Sequence, residues 1–162
     1  MLLKIFTDAH VLISLVGIFS GFIVLYGFMS ANRFDGWTSL FLWTTVLTSV
    51  TGFFFPYDGF KPSYVVGAIS LVVLAIAIFA RYRRHMEGGW RTGYVVTSMM
   101  ALYLNCFVLV VQLFRRVAAL KALAPTQTEP PFKIAQLVLL LIFVALTVLA
   151  VKNFRPEQPR TL

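Results

Sequence analysis

The sequence predicts an all-α protein, a polytopic transmembrane bundle of five membrane-spanning helices. Three observations carry that expectation. The 162 residues are 59% hydrophobic and 12% charged, whereas an ordinary soluble domain is about 45–50% apolar and about 25% charged. The apolar residues fall into long runs separated by short polar or proline-containing turns. The Lys and Arg residues behind the net charge of +8 collect at the ends of those runs, as cations facing anionic lipid headgroups do. That placement argues against nucleic acid as the partner of the positive charge.

The spans run over about residues 11–29, 38–55, 63–80, 93–114 and 132–151. Residues 1–154 form a single transmembrane domain, and 155–162 a basic, proline-containing tail expected to be disordered. The N-terminus lacks a basic segment followed by a small-residue cleavage site, so the first run is expected to be retained. In that run Gly17 and Gly21 form a GxxxG, which lets two backbones approach closely. Packing inside the bundle is the plainer reading, and a homodimer seam the sharper one.

The second run carries Thr38, Thr44, Thr45, Thr48, Ser49 and Thr51. Hydroxyls in a helix can bond the carbonyl four residues back. Their number predicts a helix inside the bundle, with Thr45 and Thr48 among its packing residues. The third run, rich in Val, Leu, Ile and Ala, is expected to have the most lipid contact. After it, RYRRHMEGGWR places Arg81, Arg83, Arg84 and Arg91 with Tyr82 and Trp90. Cations beside aromatic rings form an interfacial belt, so Arg81, Arg83, Arg84, Trp90 and Arg91 are expected at lipid headgroups.

The fourth run, Gly93 to Phe114, has no ionisable residue other than Tyr and Cys and no proline, and is expected to organise the bundle. Ser98, Asn105 and Gln112 are spaced seven residues apart in it, so they lie near one face. Such a stripe needs partners, because lipid supplies none. Asn105 is expected to bond the threonine-rich second helix. Beyond Phe114 the periodicity continues through RRVAALKALA until Pro125, predicting a helix that leaves the hydrocarbon or bends onto the surface. Thr128 is the expected N-cap of the fifth helix, with Glu129 in its first turn.

Five crossings put the termini on opposite sides. Lys and Arg number six on the N-terminal side and eight on the other, which predicts an N-terminus outside and a cytoplasmic C-terminus. The N-terminal side would gather His10, Tyr57, Asp58, Gln112 and Gln136. With Asn105 these are the candidate ligand-binding residues, for a lipid headgroup, a quinone or a proton-coupled step. Gln112 and Gln136 are expected to bond each other. Both amides also have a plainer reading as interfacial groups solvated by headgroups.

No cofactor is predicted. The two histidines, His10 and His85, fall on opposite sides, roughly 30 Å apart across a bilayer, so they cannot share one haem iron. Metal-ligand spacings are absent from the spans, Cys106 stands alone, and catalytic motifs such as GxSxG and HExxH are missing. No Asp, Glu, Lys or Arg lies deep in a span, which argues against active transport by this chain alone. Together TTVLTSVTGFFFP, ARYRRHMEGGWR and ALYLNCFVLVVQLF with ALKALAPTQTEPPF resemble small integral-membrane proteins widespread in bacteria. The resemblance brings no activity, ligand or partner, and implies a bacterial inner-membrane location.

The functional expectation is a non-catalytic membrane protein, either an accessory subunit of a membrane complex or a homo-oligomer packed through small residues. The alternatives are a small-molecule binder (quinone, lipid or haem) and a passive permeation path along the Ser98–Asn105–Gln112 face. The partners common to all are the bilayer and its anionic headgroups.

Overall fold

The computed structural model describes residues 1–55 and 62–155. Its regular elements are α1 (Leu2–Met29), α2 (Asp35–Gly52), α3 (Pro62–Ile78) continued by a π-helical turn (Phe79–Arg83), α4 (Gly89–Arg116), the short α5 (Ala118–Leu123) and α6 (Pro130–Asn153). Among the described residues, four stretches are long and apolar enough to cross a membrane: Leu2–Met29, Tyr64–Arg83, Gly89–Arg116 and Pro130–Asn153. The expected count of five is therefore met as four, with α2 as a shorter helix among them. Asp35 and Gly36 at its start, and its many hydroxyls, dilute the apolar residues of its 18-residue length.

Helices α1 to α4 form a closed square, each packed against the next and α4 packed back against α1. Helix α6 lies outside the square, in the groove between α1 and α4. The helices alternate in direction. At one end His10 of α1 meets Thr51 of α2. At the other, Phe28 of α1 meets Tyr94 of α4 and Phe154 beyond α6. These are called the His10 end and the Arg81 end below.

The α1–α2 turn depends on Gly27. A Cβ there would come within 2.8 Å of both the Asn32 carbonyl oxygen and the Phe34 ring, so a side chain would prevent the chain from folding back. Once in place, α2 satisfies several of its own hydroxyls: Thr44, Ser49 and Thr51 donate to the carbonyls of Leu40, Thr45 and Leu47 at 2.6–2.9 Å. Its inner face buries Phe41, Leu42, Thr45 and Ser49.

As expected from its composition, α4 is central, packing against α1, α3 and α6. It buries Tyr94, Val95, Ser98, Met99, Leu102 and Asn105 along one face. The expectation for α3 is corrected. Of the four long apolar helices the least buried is α6, at 11% of its apolar window against 33% for the α3 span, because α6 sits outside the square. Helix α4 breaks at Val117, whose φ of −84° and ψ of 118° are extended, and α5 follows at an exposed position. The α6 N-cap is Glu129, one residue later than the expected Thr128, because Pro130 takes the first helical position. The Pro56–Lys61 turn and the tail from Pro156 lie outside the described residues.

Candidate functional site

The face that α3 buries can be followed residue by residue. Ser70, Leu74 and Ala77 are all buried, and steps of four and three keep them on one side of the helix. The next step reaches Arg81, which is 4% exposed. Between Phe79 and Arg83 the helix widens, with the Arg84 N–H donating to the Phe79 carbonyl at 3.1 Å. Such π turns re-aim side chains and are frequent at functional sites.

An isolated guanidinium in this position would be costly, so it needs partners. Arg81 Nη1 donates to the Tyr94 hydroxyl at 3.0 Å, and Nη2 donates to Asp35 Oδ1. The guanidinium also stands 5.2 Å from the Tyr94 ring centre and 5.7 Å from that of Tyr82. Tyr94 is fixed edge-on to Phe28 at 5.5 Å. Asp35 is different: its side chain is 71% exposed, and the same Oδ1 lies 3.7 Å from Arg33 Nε. Two guanidinium groups thus converge on one carboxylate oxygen.

These groups border an open cleft of about 340 Å³ lined by Arg33, Asp35, Ser39, Arg81, Tyr82 and His85. A second cleft of about 260 Å³ is lined by Ser39, Leu42, Trp43, Ile78 and Tyr82. Ser39 and Tyr82 line both, and their hydroxyls are 3.4 Å apart. One polar, cationic compartment therefore adjoins one apolar compartment between α2 and α3. The loop behind it holds His85 and Met86 at φ of 47° and 59°, in the left-handed region that costs non-glycine residues energy.

The residues singled out from sequence are distributed otherwise. Arg81 and Arg91, expected at lipid headgroups, each bond partners within the chain. Arg91 Nη1 donates to the carbonyls of Phe154 and, at 3.3 Å, of Val151, closing the C-terminus of α6. Both arginines were placed outside because they flank apolar runs; both continue a buried helical face. Arg83 and Arg84 are exposed, and Arg84 stands 5.2 Å over the half-buried Trp90 ring.

At the His10 end the described members of the expected cluster, His10, Gln112 and Gln136, each bond a different partner. His10 Nδ1 pairs with the Thr51 hydroxyl at 2.8 Å. Gln112 accepts from Arg116 at 3.4 Å. Gln136 donates instead to the Phe107 carbonyl at 3.2 Å, leaving its own oxygen buried and unpaired. The expected amide–amide bond is replaced by these separate contacts. Tyr57 and Asp58 lie outside the described residues. In mid-bundle, Asn105 Nδ2 donates to the Thr45 hydroxyl at 3.2 Å, across the square. Ser98 is buried near Tyr94, and the Thr48 hydroxyl is buried without a partner. Gly17 faces Thr44 and Thr45, and Gly21 faces Leu102 and Phe41, so the GxxxG is used within the chain.

Sequence reasoning missed Arg33, Asp35, Ser39 and Tyr94 as members of one site. The available signal was periodicity: Arg81 and Arg91 each fall in register with the buried residues of their own helix.

The class defined by this architecture is, among the described residues, an all-helical bundle with four helices long and apolar enough to cross a membrane and two adjoining clefts at one end. No protein-family model matches the chain, and no curated protein or solved structure matches it.

Proposed function

We propose that this is a non-catalytic, multi-pass membrane protein that binds a small amphiphile at the Arg81 end. The observation that carries the reading is the adjoining pair of compartments, cationic around Arg81 and apolar along Leu42, Trp43 and Ile78. Ligand pockets combine an apolar body with a few convergent polar groups in this way. The ligand-binding alternative drawn from sequence is thereby favoured, with its site moved to the opposite end of the bundle. A homo-oligomer seam through Gly17 and Gly21 loses its motive, because side chains of α2 and α4 already occupy that face. A permeation path between α2 and α4 finds Asn105 and Thr45 in direct contact there. Native mass spectrometry of the protein in a mild neutral detergent tests the reading. One amphiphile retained per chain is expected; a chain that retains none, and takes up none from added lipid or quinone extract, overturns it.

The same reading makes α2 a fifth crossing. At about 1.5 Å per residue its 18 residues span about 27 Å, and it runs beside α1 from the Gly27 region to His10. The N-terminus then faces outward and the C-terminus the cytoplasm of a bacterial inner membrane, where positive charge accumulates. In a Cys106→Ala background, Thr126→Cys should react with an impermeant maleimide in intact cells. Arg33→Cys and Glu87→Cys should react only after permeabilisation. Arg33→Cys and Glu87→Cys labelling from opposite sides would remove the fifth crossing.

A further inference from the structure

We infer that the amphiphile is an anionic phospholipid, whose phosphate takes the place of the Asp35 carboxylate between Arg33 and Arg81; this rests on the amphiphile-binding reading above. The charge balance points to an anion. Arg33 and Arg81 share one oxygen of one carboxylate, so two positive charges meet a single negative one and a net positive charge remains. A zwitterionic headgroup brings its phosphate with a cation of its own and leaves that excess in place, whereas a lipid with one net negative charge adds an anion to the cleft while Asp35, displaced but still at its mouth, supplies the other.

The donors suit a group with more oxygens than a carboxylate. Arg81 uses Nη1 on Tyr94 and Nη2 on Asp35, and guanidinium carries five N–H donors in a fork that fits phosphate. Ser39, Tyr82 and His85 border the same cleft. The cleft also lies at the start of α2, which has no side-chain cap on its first-turn N–H groups. An uncapped helix N-terminus favours an anion, here beside two arginines.

The parts differ in how freely they can move. The Arg81 side chain is 3% exposed and held among Tyr94, Tyr82 and Asp35, whereas the Asp35 side chain is 71% exposed. Asp35 is thus the partner free to swing away, an internal anion occupying the headgroup position until lipid arrives. The apolar cleft beside it decides for lipid over free phosphate. Leu42, Trp43 and Ile78 continue from Ser39 and Tyr82, and Trp43 and Tyr82 are exposed on the outer face of the bundle, where an acyl chain passes.

The test reads Trp43 directly. In a Trp37→Phe, Trp90→Phe background, protein in phosphatidylcholine nanodiscs is titrated with phosphatidylglycerol brominated in its acyl chains. Saturable quenching of Trp43 is expected, at a lower lipid fraction than with brominated phosphatidylcholine. Arg33→Gln, half-exposed and away from the core, should weaken it about three- to tenfold, the scale of a partly screened charge-assisted hydrogen bond. Asp35→Asn should strengthen it by removing the competitor. Thermal unfolding of both variants guards against loss of fold. Equal saturable quenching by both lipids leaves the amphiphile reading intact and overturns the anionic one. Displacement by inorganic phosphate alone assigns the site to a free anion and overturns it too. Absence of saturable quenching by either lipid overturns both readings.

Discussion

Replacing Gly21 with alanine is the sharpest test of the packing. A Cβ at Gly21 would stand 2.5 Å from a Leu102 methyl carbon and 2.9 Å from the Phe41 ring. Carbon atoms rest about 3.5–4.0 Å apart, so Leu102 must withdraw by about 1 Å. Both neighbours are 1% exposed, leaving no free space for them to enter. Overfilling a packed core costs about 1–3 kcal/mol. Alanine returns at most about 1 kcal/mol through its better helix propensity, so Gly21→Ala should destabilise the fold by about 1–2 kcal/mol. Gly93 provides the control, because nothing lies within 4 Å of a Cβ there. Gly93→Ala should leave stability unchanged or raise it by up to about 1 kcal/mol. The two variants should therefore differ by about 2 kcal/mol, roughly a thirtyfold ratio of unfolding constants. Unfolding by titrating sodium dodecyl sulfate into mild detergent, followed by circular dichroism, measures the difference. Equal stability of the two variants would refute the reasoning. So would a Gly21→Ala protein that changes oligomeric state while its protomer stays as stable, because that would make the GxxxG an intermolecular seam.

Three further predictions concern polar contacts. A double-mutant cycle of Asn105→Leu and Thr45→Val should return a coupling of about 0.5–2 kcal/mol; independent effects would mean that the amide finds another partner. Arg91→Gln should loosen the last turn of α6 by about 1 kcal/mol, read as faster amide exchange at Ala150–Phe154 with the core unchanged. Glu129 is held below its ordinary value: burial pushes it upward, but hydrogen bonds from the Thr126 hydroxyl and from the Thr126 and Thr128 N–H groups outweigh that push. A lowered folded value means that the carboxylate contributes fully above its unfolded value and loses that contribution as pH falls through the folded one. Exchange at the α6 N-terminus, corrected for intrinsic rates, should therefore rise on acidification in the native protein and stay flat in Glu129→Gln.

What could be read from the sequence was what lipid itself selects. Apolar run length gave the helices, and the polar stripe gave the central role of α4 and the Asn105–Thr45 bond. The same logic underestimated helix length: α1 begins at Leu2 and α4 at Gly89, because a helix continues beyond the hydrocarbon where its residues are polar. Run length also treats α2 like the other spans, whereas four helices among the described residues are long and apolar enough to cross, since a hydroxyl-rich helix with an acidic start is only moderately apolar. The site was missed for a related reason. In sequence Arg81 stands close to Arg83 and Arg84, but Ser70, Leu74 and Ala77 on its own helical face determine where it points. The π turn and the break at Val117 have no proline or glycine to announce them.

Specific contacts account for the position of α6. A helix with 11% of its apolar window buried gains little from side-chain packing, and in a membrane there is no hydrophobic gain from leaving lipid for protein. Its attachment must come from specific contacts, and these lie both in mid-helix, where the buried Phe143 packs on Tyr103 at 5.7 Å, and at its ends. Near its start, Phe132 packs edge-on to Phe114 at 5.3 Å and Gln136 reaches the Phe107 carbonyl. At its finish, Arg91 binds the terminal carbonyls, while the fully buried Phe154 packs on Phe28 at 4.9 Å and on Tyr94 at 6.2 Å. Tyr94 is the same residue that receives the Arg81 guanidinium. The attachment of α6 and the floor of the cleft thus meet on one buried ring, so a headgroup that shifted Arg81 would be felt first at the C-terminus of α6.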